Sequence, residues 1–573
     1  MPKTADLILT GGDVLSMDAA FSVAQAVAVR DGRILAVGSD AAIAAHTGPD
    51  THVIELSGRT VLPGINDSHL HAAAWALTGP PFALNTGHPA VRSIADIVAA
   101  VRTAAAGTPL GEWITGLGWD VGYLEECLAD PARRPHRSDL DAAAPDHPVC
   151  LTDFSGHMVW ANSKALALAG ISHGTRSPTG GVIETDAAGE PTGILKETAQ
   201  ALVQGLIPPA TVSRRKDAIR EAVAALHAEG ITSYTEPGLG PGGAEILGGG
   251  LDTTTLDAYI ELARAGQLAA RVRVLLLPAP MGGSAVDVAA GLKGLAVPDD
   301  VDARRLAVIG VKVFADGVPP NETAWMQDPY PGGGHGSLCV HGASAGLKQA
   351  ELAEMIRVAH TDGYQVGVHV TGDRAIDAVV DAFVDAQRDH PRPDARHYVI
   401  HGDFASAQSL AKLAAHGYGI NMNPAIKWTI ADLMDGIVGN DRSEYQWPVR
   451  SAAEAGIAVC VGSDAPITAP NWRQGVASML LRESKATGRV SGPGQRVSLE
   501  TALRAYTVNP ARQDFAESWK GTIEPGKVAD LCVLGGDLRA TDPHDIPALP
   551  IDLTVLDGHI VFERARVGDD EGR

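Results

Sequence analysis

Two histidines with one residue between them, His69 and His71 in the segment DSHLH, follow an apolar run and are well suited to holding a metal ion. Along a strand, residues i and i+2 point to the same side. A strand here therefore brings both imidazoles to one ion, and imidazole nitrogen suits zinc and related metals. Such a pair also arises without function, so its weight depends on its company. His369 lies near the end of YQVGVHVTGD, His401 is in HYVIHGDF, and Asp464 is in IAVCVGSDAP. Lys312 stands in GVKVFADG, where an unpaired charge would be costly. It reads either as an ammonium reaching a carboxylate such as Asp316, or as a carboxylated lysine, an anion able to bridge two metals. A histidine in a barrel wall is often only a core residue. Several ligand-type residues at strand ends, on the face where barrels do chemistry, carry more weight.

The elements that must position these residues are strands alternating with helices, the pattern of βα units and a parallel sheet. Eight strands are predicted, at 61–71, 230–238, 270–279, 307–317, 364–373, 397–404, 417–426 and 457–466. Between them, KQAELAEMIRVAHTDG, SAQSLAKLAAHG and WPVRSAAEAG carry apolar residues at helical spacing. The fold class is α/β: a (β/α)8 TIM-type barrel over 61–514. Residues 75–215 are too long for a βα loop and read as a subdomain inserted after strand one. The chain ends differ. Short strand pairs with turns such as Asp31-Gly32 and Asp557-Gly558 predict one small composite β-sandwich from 1–60 and 515–565. Residues 566–573 read as a disordered tail.

The whole-chain numbers bound the partners. Over 573 residues, 46 Lys and Arg against 68 Asp and Glu give a net charge of −22. Such a surface repels phosphate backbones and anionic lipid, which excludes nucleic acid and membranes as expected partners. No run approaches the roughly 20 apolar residues of a spanning helix, and the first residues lack a signal-peptide pattern. Five scattered cysteines without a CxxC pair argue against a disulfide scaffold and for a reducing, cytoplasmic setting. The glycine runs Gly248–Gly250 and Gly332–Gly334 lack a following Lys-Ser or Lys-Thr and are not phosphate cradles.

Taken together, PGINDSHLH, GVKVFADG, GVHVTGDRAID, VIHGDF, VGSDAP, ALRAYTVNPAR and GTIEPGKVADLCVL resemble the amidohydrolase superfamily, and within it the amidohydrolase-3 (YtcJ-like) group. In the insert, WITGLGWD, DLDAAAPDHPVCL and SGHMVWANSKALALAGI resemble that group's lid subdomain. The resemblance covers nearly the whole chain. It implies a metal-dependent hydrolase with zinc or another divalent metal: His69, His71 and Asp464 would hold the more buried ion, and His369 and His401 a second. A carboxylated Lys312 would bridge the two, with a single ion left open. Asp464 would move the proton from water to the leaving amine. The expected substrate is a small molecule with an amide-type C–N bond, N-substituted formamides being one class known for the group. A homodimer is left open.

Three residues are candidate substrate contacts: His157 in SGHMVWAN, Trp119 in GLGWD, and Asp316. His157 reads equally as structural, and buried tryptophans are more often core. Asp373 reads as the N-cap of the helix RAIDAVVDAF rather than as a partner of a ligand. Competing functions on the same site are a mononuclear deaminase, a metal-dependent lyase or decarboxylase, and a non-catalytic metal-binding barrel. Deaminases of the superfamily usually carry a Glu shortly after the strand-five histidine. Here His369-Val-Thr-Gly-Asp373 has none.

Overall fold

Apolar runs bounded by glycine and proline become eight parallel strands in the computed structural model, which describes residues 3–154, 156–178, 181–243 and 250–565. We label them β1 (Ile65–Asp67), β2 (Ile231–Leu239), β3 (Arg271–Leu276), β4 (Leu306–Phe314), β5 (Gln365–Val370), β6 (Tyr398–His401), β7 (Gly419–Met422) and β8 (Val459–Val461). They lie side by side in chain order. Strands β2, β3 and β5 are buried along their whole length, as expected for parallel strands covered on both faces. The first and last strands meet at their C-terminal ends. Ser68 N–H donates to the Val461 carbonyl at 3.2 Å, Asp464 N–H to that of His69 at 2.8 Å, and His71 N–H to that of Ala465 at 3.1 Å.

Helices return the chain between strands. Ala345–Thr361 is capped by Ser344, whose hydroxyl accepts from Leu347 N–H. Asp373–Asp389 buries Ile376, Val379, Val380 and Phe383, which recur at helical spacing. Its N-cap is Gly372, one residue before the predicted one. The Asp373 carboxylate instead accepts from Gln327 N–H and Arg374 N–H, each at 2.8 Å.

The predicted first strand, 61–71, is in fact two. Thr60–Pro63 pairs antiparallel with Leu531–Leu534, and Ile65–Asp67 pairs with β2. Gly64 is the break, and a Cβ there would sit 2.1 Å from Thr232 Oγ1. His69 and His71 therefore lie beyond the strand, so strand alternation does not aim them. The loop they occupy is held against the loop after β8 by the hydrogen bonds above.

The chain ends build two sheets. One runs Arg33–Gly38, Ala26–Arg30, Leu7–Thr10, His52–Glu55. The other runs His559–Glu563, Ile551–Leu556, Leu531–Leu534, Thr60–Pro63, Asp13–Leu15, Val23–Ala24. Leu9, Val14 and Val27 from one end share a core with Leu531, Val533 and Val555 from the other. Because Thr60–Pro63 belongs here, the predicted boundary after residue 60 falls within this strand.

All of this lies in one unit, Met1–Ala72 with Arg220–Arg573; the second unit is Ala73–Ile219. The second has its own six-stranded sheet, with Ile114–Trp119 beside Val149–Asp153, and a core including Ile97, Val101, Leu151 and Trp160. The predicted tail and the first two residues of the Gly248–Gly250 run lie outside the described residues. Among those described, no helix is long and apolar enough to cross a membrane.

Candidate metal centre

Six predicted residues come together at the C-terminal ends of the barrel strands. The imidazole rings form a chain, with centroids 5.3 Å apart for His69 and His71, 5.1 Å for His69 and His401, and 4.6 Å for His369 and His401. Asp464 Oδ1 lies 3.2 Å from His69 Nε2 and 3.7 Å from His71 Nε2. Ligand atoms of His69, His71 and Asp464 all fall within 4.8 Å of one another. Lys312 is 2% exposed and acts electrostatically on His69, His369 and His401 and interacts with Asp464.

The hydrogen bonds select which nitrogens keep a lone pair. His401 Nδ1 lies 2.8 Å from Asn423 Oδ1, so its N–H donates there and Nε2 remains free to bind. His369 Nε2 lies 3.3 Å from the Gly317 carbonyl, which leaves Nδ1 as its ligand atom. His69 is 1% exposed; its Nδ1 has no hydrogen-bond partner, and its Nε2 faces Asp464 Oδ1 at 3.2 Å. A buried polar atom without a partner is costly, and a metal ion would satisfy it. The donor set fits a divalent ion.

Protonation states agree with that fit, because metal ligands must be neutral imidazole or ionised carboxylate. Burial pushes His69 and His369 well below the ordinary histidine range, with the Lys312 charge adding to it, and lowers His401 as well. Burial alone would raise Asp464, but the neighbouring His69, His401 and His71 hold it below the usual carboxylate range. Burial brings Lys312 down to about 8, against the opposing pull of Asp464 and Glu236.

Asp67 organises the two loops. Its carboxylate accepts from His69 N–H at 3.2 Å and from Ser463 N–H at 3.1 Å. Glu236, within β2, places Oε1 3.7 Å from His71 Nδ1. Asp67, Glu236 and Asn423 are the residues that motif reading passed over. Glu236 had a usable signal, a charge in the buried strand ITSYTEPGL, the same anomaly that drew attention to Lys312.

The substrate-contact candidates fare differently. Trp119 is 1% exposed in the core of the second unit, its Nε1 donating to the Leu151 carbonyl at 2.8 Å, so it is a core residue. Asp316 is fully buried and accepts from the backbone N–H of Trp325 at 2.8 Å and of Thr371 and Gly372 at 3.0 Å each. It is a clamp on backbone, and burial raises it to about 7. Asp464 and Glu236 are carboxylates that act on Lys312. His157 is half exposed in the second unit, with Nδ1 3.0 Å from Glu197 Oε2.

Known proteins are similar to this chain in sequence and in fold. Residues 52–562 match the amidohydrolase family model. The N-substituted formamide deformylase of Arthrobacter pascens is 29% identical over 572 residues, 98% of this chain and 99% of that protein. The Bacillus subtilis protein YtcJ is 30% identical over 570 residues, 97% of this chain and 99% of its own length. The crystal structure of a metal-dependent hydrolase from Pyrococcus furiosus shares the fold. Its TM-score is 0.71 at 24% identity, over 94% of this chain and 99% of that one. Matched by the family model along nearly its full length, with histidines and an aspartate gathered at its barrel strand ends, this chain belongs to the amidohydrolase family and is a hydrolase.

Proposed function

We propose that the protein hydrolyses an amide-type C–N bond of a small molecule, with an N-substituted formamide as the leading substrate class. The observation that carries this reading is the convergence of His69, His71 and Asp464, whose ligand atoms all lie within 4.8 Å of one another. The full-length similarity to a formamide deformylase supports the substrate class. His69, His71 and Asp464 would hold one ion, His369 and His401 a second, and Lys312, carboxylated, would bridge them. Zinc suits this nitrogen and oxygen set. A lysine lowered to about 8 has an appreciable neutral fraction near pH 8, which reaction with carbon dioxide requires. Bound metal supplies Lewis acidity, which eases deprotonation of water and polarises the carbonyl.

The chain's own part is proton handling. Asp464 is ionised, and its carboxylate accepts the proton of the attacking water and returns it to the leaving nitrogen as the C–N bond breaks. The protein works in a reducing cytoplasm in this reading; its five cysteines are all free.

The test is metal content and the mass at Lys312 for the purified protein, together with turnover of N-substituted formamides, cyclic amides, carbamates and esters. Formate and amine released in equal amounts, lost on chelation and restored by metal, support the proposal. Release of ammonia or carbon dioxide would move it to deamination or decarboxylation. A His69→Ala variant of unchanged activity would remove metal catalysis altogether.

A further inference from the structure

We propose that Glu236 positions His71 for metal binding and is itself held by a buried pair of tyrosines. This rests on the metal-dependent reading of the site. Glu236, Tyr234 and Tyr259 are 1%, 0% and 0% exposed. Tyr234 and Glu236 lie two residues apart on β2, and Tyr259 comes from the helix Thr253–Arg264. The Tyr259 hydroxyl donates to Glu236 Oε2 at 2.8 Å. It lies 3.0 Å from the Tyr234 hydroxyl. Tyr259 has one proton and gives it to the carboxylate, so Tyr234 is the donor between the phenols. The chain thus runs in one direction, Tyr234 to Tyr259 to Glu236, and ends on a carboxylate oriented by a helix packed against the barrel strand.

The carboxylate end of that chain faces a ligand. Glu236 Oε1 is 3.7 Å from His71 Nδ1, and Asp464 Oδ1 is 3.7 Å from His71 Nε2. One ring nitrogen therefore addresses Glu236 and the other addresses the metal side of the ring. A shift of roughly half an ångström to one ångström brings Nδ1 and Oε1 to hydrogen-bond length. The resulting arrangement fixes the tautomer with Nδ1 protonated and Nε2 free to bind. Ligating histidines generally give their second N–H to such a partner, and removing it costs about 10- to 100-fold in metal affinity. Glu236 is also within electrostatic reach of Lys312. Tyr259 touches Glu236 through a hydroxyl alone, so its removal tests orientation and leaves the charge in place.

The experiment is chelator competition on full-length protein loaded with Zn2+, and the visible spectrum of the Co2+-loaded form, for wild type, Glu236→Ala and Tyr259→Phe. We expect Glu236→Ala to lose about 10- to 100-fold in affinity and Tyr259→Phe a smaller, several-fold amount, with a changed cobalt spectrum in both. If Glu236→Ala fails to fold, Tyr259→Phe carries the test. Wild-type affinity and an unchanged cobalt spectrum in the variants that fold would overturn the proposal, whatever their thermal stability. A wild type that binds no metal would instead overturn the reading of the site on which it rests.

Discussion

The side-chain oxygen of Asn423 lies 2.8 Å from Nδ1 of His401, and the amide nitrogen of the same side chain donates to the Gly462 carbonyl at 2.9 Å. The second contact fixes the first: flipping the amide would turn a donor toward Nδ1–H and an acceptor toward a carbonyl. His401 therefore presents Nε2, and Asn423 decides that from the position just after β7 without being a ligand. Replacing Asn423 with Ala removes the acceptor and leaves a buried N–H unpaired. Metal affinity at the His401 side is expected to fall by about 10- to 100-fold. Chelator competition reads this directly, and an Asn423→Ala protein that keeps wild-type affinity would show that the ring is oriented by packing alone.

Gly462 makes a second prediction. A Cβ at this position would lie 2.6 Å from His69 N, 2.7 Å from His69 Cβ and 2.8 Å from His69 O. These are backbone and near-backbone atoms, which cannot swing aside as the tip of a side chain can. Gly462→Ala must therefore push the His69 loop from the loop carrying Asp464, although it alters no ligand. Metal content and activity are expected to fall together, measured as metal per chain and as turnover at saturating metal. If turnover recovers fully with added metal, the displacement has weakened binding without disturbing the reacting geometry.

These two positions show where sequence reading stops. All eight barrel strands were legible, because apolar runs ending in Gly or Pro are local signals and parallel strands are buried on both faces. His69, His71, His369, His401, Asp464 and Lys312 were legible as a set because each carries unusual chemistry at a strand end. Glu236 was not read, since its meaning depends on Tyr259, twenty-three residues later on a helix. Trp119 and Asp316 stayed open as candidates for the opposite reason. Their types suit a ligand pocket, and only the fold shows that one fills a core and the other holds three backbone N–H groups. The two-piece first strand was hidden because Gly64 interrupts an otherwise continuous run at a place where Thr232 leaves no room for a Cβ.

A buried histidine pair away from the metal ligands sets an acid limit on stability. His397 Nδ1 accepts from Val366 N–H at 3.0 Å, so Nε2–H donates to His360 Nδ1 at 2.8 Å, and His360 Nε2–H donates to the His390 carbonyl at 2.7 Å. Every ring nitrogen is used once, with both rings neutral. Burial pushes both histidines below their ordinary range, and the Arg392 charge adds to the shift. For a base lowered in the folded state, stability is full above the unfolded value of about 6.5. It declines below that, because the unfolded chain takes up protons that the folded one refuses. The slope is at most about 1.4 kcal/mol per pH unit for each histidine. Denaturant midpoints measured between about pH 7.5 and pH 5 should fall on acidification. His360→Gln should reduce that fall relative to wild type. Equal slopes in the two proteins would show that the pair does not govern it.

The last prediction concerns the buried ion pair that ties β2 to the segment after the barrel. Lys520 Nζ lies 2.6 Å from Asp514 Oδ2 and 2.7 Å from Ser233 Oγ, and Asn66 Nδ2 donates to the same Asp514 oxygen at 2.8 Å. The side chains of the pair are 5% and 0% exposed. Burial lowers Lys520 to about 8, with Asp514 pulling against it. Two buried charges offset each other's desolvation, so removing one strands the other. Lys520→Met is expected to cost about 3–5 kcal/mol. Asp514→Asn leaves the lysine without its counter-charge. The double variant removes both charges at once and should lose less than the two single losses combined, with a coupling of roughly 0.5–3 kcal/mol. Chemical denaturation of the four proteins closes the cycle. Additive losses would mean that Ser233 and Asn66, rather than the charge on the partner, satisfy each group.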